Sequence, residues 1–178
     1  MVSGETIRRY VNSDVDSLHQ AIEKSREHLR PWMAWANEPL PTRAEREALF
    51  TEWNAMPRDC TYGVFDGEGN VLAGTGLHDR GGPTDIEIGY WVHVAAVGKG
   101  LATRVTEALT TVAFDSEPAL LRVQIKHDAA NVVSGRVPAR LGYQRTKVET
   151  ETSDASGGAR KLWTWEMTRA AWAALRPT

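Results

Sequence analysis

The sequence of 178 residues contains one cysteine, Cys60. Neither an internal disulfide nor a cysteine-based metal cluster is therefore open to a single chain. No uninterrupted apolar run reaches the roughly 18 residues that a membrane-crossing helix needs, so no membrane partner is expected. Charge of neither sign dominates. The 21 Lys+Arg and 23 Asp+Glu leave a formal net charge of -2, which argues against nucleic acid as a partner. Repeats and low-complexity tracts are absent. No His/Cys/Asp cluster has metal-ligand spacing, so no metal is expected. The opening MVSGETIRRYV lacks the apolar stretch of a secretory leader, and a cytoplasmic location is the expectation. What is present, 42% hydrophobic and 25% charged residues, is ordinary globular composition. It suffices for one domain over residues 1–178.

The apolar pattern predicts the order β-α-α-β-β-β-α-β-α-β-β, a mixed α/β (α+β) layer rather than a regular doubly wound sheet. ETIRRYV is a short first strand. SDVDSLHQAIEKSREHL is a helix with Ser13 or Asp14 as cap and Val15, Leu18, Ile22 and Leu29 at helical spacing. A Trp- and Pro-rich link, RPWMAWANEPLPT, leads to a second helix that Thr42 and Glu45 open as a capping box. CTYGVFDGEGNVLAGTGLHD is a hairpin around DGEGN, and DIEIGYWVHV is the next strand. KGLATRVTEALTTVAF puts Leu101, Val105, Ala108, Leu109 and Val112 on one helical face. ALLRVQIK is an apolar strand, and AANVVSGRVPARLGY a short helix that stops at Gly142. YQRTKVETE and ARKLWTWEMT are late strands around a SDASGG turn, with Trp163, Trp165 and Met167 facing the core.

Candidate chemistry begins at Glu87–Val105, EIGYWVHVAAVGKGLATRV, where a strand meets a helix through a turn marked by Gly98 and Gly100. A helix start leaves about four N–H groups without intrahelical partners. Their partial positive charge suits an anion such as a phosphate, and glycines let it approach the backbone. The glycines alone are equally compatible with a tight turn that binds nothing. Two nucleotide motifs fail on spacing. Lys99 is followed by Gly100 rather than Ser or Thr, and Thr103 stands where a Rossmann fingerprint needs its third Gly.

The stretch from Val97 to Ala102 resembles the Gln/Arg-x-x-Gly-x-Gly/Ala loop of the GCN5-related N-acetyltransferase (GNAT) family, with Val97 where Gln or Arg is usual. NVVSGRVPARLGY resembles the family's second motif through Asn131, Ser134, Gly142 and Tyr143. SREHLRPWMAWA, EIGYW and the Asn-x-x-Ser spacing are similar to the Rim-type branch. That branch includes enzymes acetylating ribosomal-protein N-termini and relatives acting on small amines, antibiotics or toxic peptide nucleotides. The resemblance covers nearly the whole chain. It implies the GNAT fold, with the sheet splayed between the fourth and fifth strands, and acetyl-CoA as cosubstrate. It implies that the amides of Gly98, Lys99, Gly100, Ala102 and Thr103 grip the pyrophosphate. Amides from Val92 to Val94 would pair with the pantetheine arm, and Asn131 and Ser134 would contact the coenzyme. The implied reaction is direct transfer, in a ternary complex, to a primary amine of a protein N-terminus or a small molecule. A homodimer is common in that branch.

Acetyl transfer needs a base for the amine and an acid for the thiolate. Many family members carry a Tyr seven residues after the helix Asn, where this chain has Pro138. The branch points instead to Ser134 as acid, with a packing or coenzyme-contact role equally open. Glu87 leads as base, because it shares a strand face with Gly89 and Trp91, opposite Ile86 and Ile88; a solvent-exposed strand Glu is the alternative. His127 is second, for its near-neutral pKa, against a structural role, with Asp128 beside it as a helix cap. Glu149 and Glu151 also stay open. Trp32, Trp35, His78 and Glu87 are the candidate acceptor-binding residues, joined by Arg30 and Asp79, and a core role is open for the tryptophans. Cys60 sits in a strand far from the loop, which argues against a covalent acetyl-Cys step. The competing class is a non-catalytic, regulatory acyl-CoA-binding module, favoured by Val97 and the missing Tyr.

Overall fold

The computed structural model describes residues 4–152 and 158–176. Among these residues, the elements run β1 (Thr6–Arg9), α1 (Val15–Leu29), α2 (Arg43–Ala55), β2 (Cys60–Phe65), β3 (Val71–His78), β4 (Asp85–Val92), α3 (Leu101–Ser116), β5 (Arg122–Asp128), α4 (Val132–Arg140), β6 (Gln144–Thr152), β7 (Ala159–Thr168) and α5 (Arg169–Ala174). Three short 3-10 turns punctuate them at Asn12–Asp14, Ala34–Asn37 and Val94–Ala96. The order matches the predicted one, with α5 added. Residues 153–157 of the expected SDASGG turn lie outside the described residues.

The strands form one sheet in the order β1-β2-β3-β4-β5-β7-β6. Every pairing is antiparallel except β4 with β5. That parallel ladder holds only Asp85–Glu87 against Arg122–Gln124. Beyond Glu87 the two strands part, and this is the expected splay. Strand side chains alternate between faces, so the two sides of β4 carry different jobs. Ile86 and Ile88 are buried in one cluster with Val105, Leu109 and Phe114 of α3, Val123 and Ile125 of β5, and Trp172 of α5. Glu87, Gly89 and Trp91 take the opposite face, which α1 and α2 cover through Leu18, Ile22 and Phe50, packed with Phe65 of β2. Each large aliphatic so buried contributes about 1.5–3 kcal/mol relative to exposure.

Local signals account for most boundaries. Thr42 opens α2 as expected: its Oγ1 accepts from the Glu45 amide at 3.3 Å, while Glu45 Oε2 accepts from the Thr42 amide at 2.7 Å. Asp66 Oδ1 accepts from the amides of Glu68 and Asn70, both at 2.9 Å, which closes the β2–β3 hairpin. Asp14, one of the two expected positions, is the N-cap of α1, but its carboxylate makes no cap bond and turns back onto the Arg8 guanidinium and the Val11 amide. One expectation needs correction. The buried stripe of α3 is rotated from the expected one. Thr106 and Thr110 are fully buried, and Val112 is 49% exposed. Thr110 is tolerated inside because its hydroxyl meets the Thr106 carbonyl at 2.7 Å and the Tyr143 hydroxyl at 2.6 Å.

Candidate active site

The loop after β4 has the backbone its glycines promised. Gly98 and Gly100 both sit at positive φ, 76° and 74°, a region that costs other residues roughly 1–2 kcal/mol. Gly100 is the N-cap of α3 and brings no side chain to the first helical amides. Gly98, Lys99 and Val97 are exposed, while Ala102 and Thr103 are half-buried on the first turn. Beside them lies a cavity of about 520 Å³ lined by Lys24, His93 and Lys99 with Glu5. The turn is braced from behind: Arg104 donates to the Lys99 carbonyl at 2.8 Å and to Glu5 at 2.7 Å.

The amides of β4 divide between two sides. His93 donates to the Leu72 carbonyl at 2.8 Å, across the β3 side. Amides alternate along an antiparallel strand, so those of Tyr90 and Val92 point to the β5 side, where the ladder has ended. Val94 departs from expectation, because its amide donates to the buried Ser25 hydroxyl at 3.0 Å. Of the stretch Val92–Val94, only Val92 therefore faces the gap.

Across that gap stands α4. Asn131 caps it, its side-chain oxygen accepting from the Ser134 amide at 3.1 Å. The Ser134 hydroxyl lies 3.2 Å from the hydroxyl of Tyr90, which also reaches the Ser134 carbonyl at 3.2 Å. Burial pushes the Tyr90 pKa up to about 12, against a smaller lowering from Ser134. Tyr90 was not among the sequence candidates. Its parity with Ile86 and Ile88 was the available signal, but that parity also marks a core residue. Pro138 is buried inside α4.

His127 stands on the β5 wall of the splay with both ring nitrogens engaged. Trp165 Nε1 donates to its Nε2 at 2.9 Å, and Nδ1 lies 2.7 Å from the Asp128 carbonyl. An indole N–H can only donate, so the proton sits on Nδ1 and the Nε2 lone pair is used. Burial lowers the pKa further. Trp165 stacks on the ring and Trp163 meets it edge-on, so these tryptophans are half-buried supports for His127; only Met167 of that trio is fully in the core. The geometry offers no free base at His127. Asp128 turns its carboxylate to the Ala130 amide at 2.8 Å, ahead of α4.

On the opposite face, Glu87 is 8% exposed and ion-paired to Arg80 at 2.9 Å and Lys126 at 3.2 Å. Facing it across the β3–β4 ladder is His78, whose Nδ1 meets Asp59 Oδ1 at 2.9 Å. A carboxylate can only accept, so Nδ1 donates in this bond and the ring is held in one orientation. The imidazole lies over Gly76 and Gly89: a Cβ at either would come within 2.8 Å and 3.1 Å of the ring. Gly74 lies likewise beneath Trp91. Glycines thus floor a cavity of about 710 Å³ whose walls include Trp32, Trp35, Trp53 and Trp91. Trp35, 41% exposed, stands edge-on to Trp91 at 6.0 Å. Tyr90, Arg46 and His78 line the same cavity. Arg30 pairs with Glu27, and Asp79 with Arg58; neither lines it. Glu149 and Glu151 are on the outer strand β6, paired to Lys147 and Arg160, and the Lys147 hydrogen bond holds Glu149 below the usual carboxylate range. Cys60 is buried in β2, separated from β4 by β3. Among the described residues, no group of three or more His, Cys, Asp or Glu could hold a metal ion, and no helix is long and apolar enough to cross a membrane.

An uncapped glycine turn at a helix start can receive an anion, and here it follows the strand whose edge opens where β4 leaves β5. Residues 6–144 match the family model described as "Acetyltransferase (GNAT) domain", and the chain belongs to that family; it is an acetyl-CoA-dependent N-acetyltransferase. Over 142 residues it is 30% identical to "Putative ribosomal N-acetyltransferase YdaF" of Bacillus subtilis (strain 168), covering 78% of this chain and 76% of that protein. Among solved structures it is similar to a "Probable acetyltransferase", at a TM-score of 0.87 and 25% identity over 96% of each chain. It also shares its fold with RimL, a ribosomal L7/L12 alpha-N-protein acetyltransferase in complex with coenzyme A. That TM-score is 0.83, at 17% identity over 95% of this chain and 96% of the other.

Proposed function

We propose that this chain, as a single domain, moves the acetyl group of acetyl-CoA directly to a primary amine, with both molecules bound at once. The observation that carries the reading is the gap beyond Glu87, where β4 leaves β5. The strand that opens there, β4, lines the tryptophan-walled cavity through Gly89, Tyr90 and Trp91 and runs on toward the glycine turn. Bound acetyl-CoA supplies an activated acetyl group as a thioester. The amides of Gly98, Lys99, Gly100, Ala102 and Thr103 hold its pyrophosphate, with Lys99 and Lys24 adding charge. The Val92 amide hydrogen-bonds the arm in the gap, and Asn131 and Ser134 line the far wall. Tyr90, steadied by Ser134, directs its hydroxyl toward the sulfur as it becomes negative. His78, oriented by Asp59, accepts the proton of the amine at Nε2. Glu87 already neutralises two cations, so its contribution is electrostatic: it keeps Arg80 and Lys126 from repelling an ammonium. Trp32 and Trp35 wall the acceptor. A protein N-terminus is one acceptor that fits, as the names of the ribosomal N-acetyltransferase relatives suggest; a small-molecule amine is the other.

The test is thiol release from acetyl-CoA with N-terminal peptides, amino acids, polyamines and aminoglycosides, beside calorimetry with acetyl-CoA alone. Turnover with one class names the acceptor. No measurable affinity for acetyl-CoA overturns the reading.

A further inference from the structure

One charge in the acceptor cavity has no counterion. Arg46, on α2, is 8% exposed and lines the cavity. Its Nε donates to His19 Nε2 at 3.3 Å, and its guanidinium lies 5.9 Å from the Trp53 ring. Among the described residues no carboxylate pairs with it, and its terminal nitrogens have no hydrogen-bond acceptor. His19 is no substitute anion: as an acceptor it is neutral, and burial and Arg46 both disfavour its charged form. Nor is Tyr10, whose hydroxyl is held protonated by burial. The other two arginines of the cavity differ. Arg80 is neutralised by Glu87, and Arg160 by Glu151. A guanidinium largely withdrawn from water without a counterion is costly, and what exposure Arg46 keeps is to the cavity it lines. A site that keeps one is poised for an anion, and the planar fork of Arg suits a carboxylate or phosphate with two parallel hydrogen bonds.

We infer that the acceptor is an anionic amine, a primary amine that also bears a carboxylate or phosphate seated on Arg46, with its apolar body against the tryptophans. This rests on reading the cavity as the acceptor site. It disfavours polyamines and aminoglycosides, whose added positive charge would meet Arg46. Among the described residues, the one acidic side chain lining the cavity is the exposed Glu38.

The experiment titrates phenylphosphate, phenylacetate and neutral phenylacetamide into the wild-type protein, Arg46→Gln and Arg46→Lys. Binding is followed through the fluorescence of the cavity tryptophans, and acetyl-CoA affinity is measured separately by calorimetry. At least one anion should bind about tenfold or more tighter than phenylacetamide, as expected for a charge-assisted pair. Arg46→Gln should erase that preference, Arg46→Lys should keep part of it, and acetyl-CoA affinity should not change in either. The stronger of the two anions identifies the group. Equal binding of all three probes, binding of neither anion, or an unchanged preference in Arg46→Gln overturns the inference. If Arg46→Gln fails to fold, the wild-type preference and Arg46→Lys decide. Loss of acetyl-CoA binding by the wild type would instead overturn the acetyltransfer reading, and the probe comparison would still stand on its own.

Discussion

Replacing Tyr90 by Phe removes one hydroxyl from the splay and leaves the ring. The hydroxyl has two contacts to Ser134, both at 3.2 Å. Losing a hydrogen bond of that length costs about 1 kcal/mol of stability, or a melting temperature lower by roughly 2–4 °C in a chain of this size. The catalytic loss should be larger. A phenol at about 12 is a weaker acid than an ordinary thiol near 8.5. Tyr90 therefore stabilises negative sulfur by donating a hydrogen bond rather than by surrendering its proton. That places the effect at the low end for a positioned proton donor, about 10²-fold in kcat, or about 2.7 kcal/mol. The assay is thiol release at saturating acetyl-CoA between pH 7 and 10, using whichever amine turns over. The Phe variant should lose activity equally at every pH in that range, since Tyr90 is protonated throughout, and its acetyl-CoA affinity should be that of the wild type. A kcat within about twofold of wild type would refute the role. A loss matched by weaker acetyl-CoA binding would make Tyr90 a wall of the coenzyme site instead.

Gly100→Glu should abolish acetyl-CoA binding in calorimetry, because it puts a carboxylate at the helix start that must receive pyrophosphate; normal binding would remove the loop from the site. Asp59→Asn should lower kcat by about 10²-fold, with acetyl-CoA affinity unchanged, because an amide no longer fixes the His78 tautomer; full activity would return the base role to Glu87. Gly74→Ala would bring a Cβ within 2.2 Å of Trp91 Nε1, so the indole must leave the cavity wall. Its fluorescence should shift and acceptor KM should rise, whereas an unchanged KM would show that Trp91 does not meet the acceptor. Burial raises the pKa of Tyr10, Tyr90 and Tyr143 above the ordinary value of 10. Their protonated forms stabilise the fold fully below pH 10, and this stabilisation is lost as pH rises through the folded-state values. The urea midpoint should therefore fall above pH 10, less so in Tyr90→Phe, and a midpoint that stays flat to pH 12 would contradict this.

Readable features of this chain were those whose cause is local. Gly98 and Gly100 announce a left-handed turn before any partner is known, and Thr42 with Glu45 closes its box within four residues. The parity of Glu87 against Ile86 and Ile88 follows from the pleat alone. What escaped depends on groups far along the chain. His78 acquires Asp59 from 19 residues away, and Tyr90 acquires Ser134 from 44. His127 looked available because nothing near it in sequence shows Trp165, 38 residues on, occupying its lone pair. The α3 stripe was misjudged for a related reason. A threonine counts as polar until its hydroxyl finds the carbonyl one turn back and a tyrosine 33 residues later. Helix α5 is six residues long and anchors through Trp172, too short for periodicity to register.

The parity of β4 also explains why chemistry concentrates where it does. Even-numbered residues from Ile86 to Val92 face the α3 and α4 side, and odd-numbered ones from Glu87 to Trp91 face α1 and α2. One side delivers Ser134 and the Tyr90 hydroxyl; the other delivers His78, the glycine floor and Arg46, while the glycine turn follows the strand beside Lys24 of α1. A continuous sheet would keep these two sets apart. The three-residue ladder between β4 and β5 ends at Glu87, and from there the open edge of β4 borders both. Glu87 is thus the last paired residue before the gap, and its ion pair to Lys126 ties the two strands together at the point where they separate. Removing that carboxylate, as in Glu87→Gln, leaves Arg80 and Lys126 without their anion beside the acceptor path. The expected signature is a higher acceptor KM that salt partly relieves by screening, with kcat changed less. A kcat lowered at every pH with KM intact would instead mark Glu87 as the base, and His78 as part of the wall.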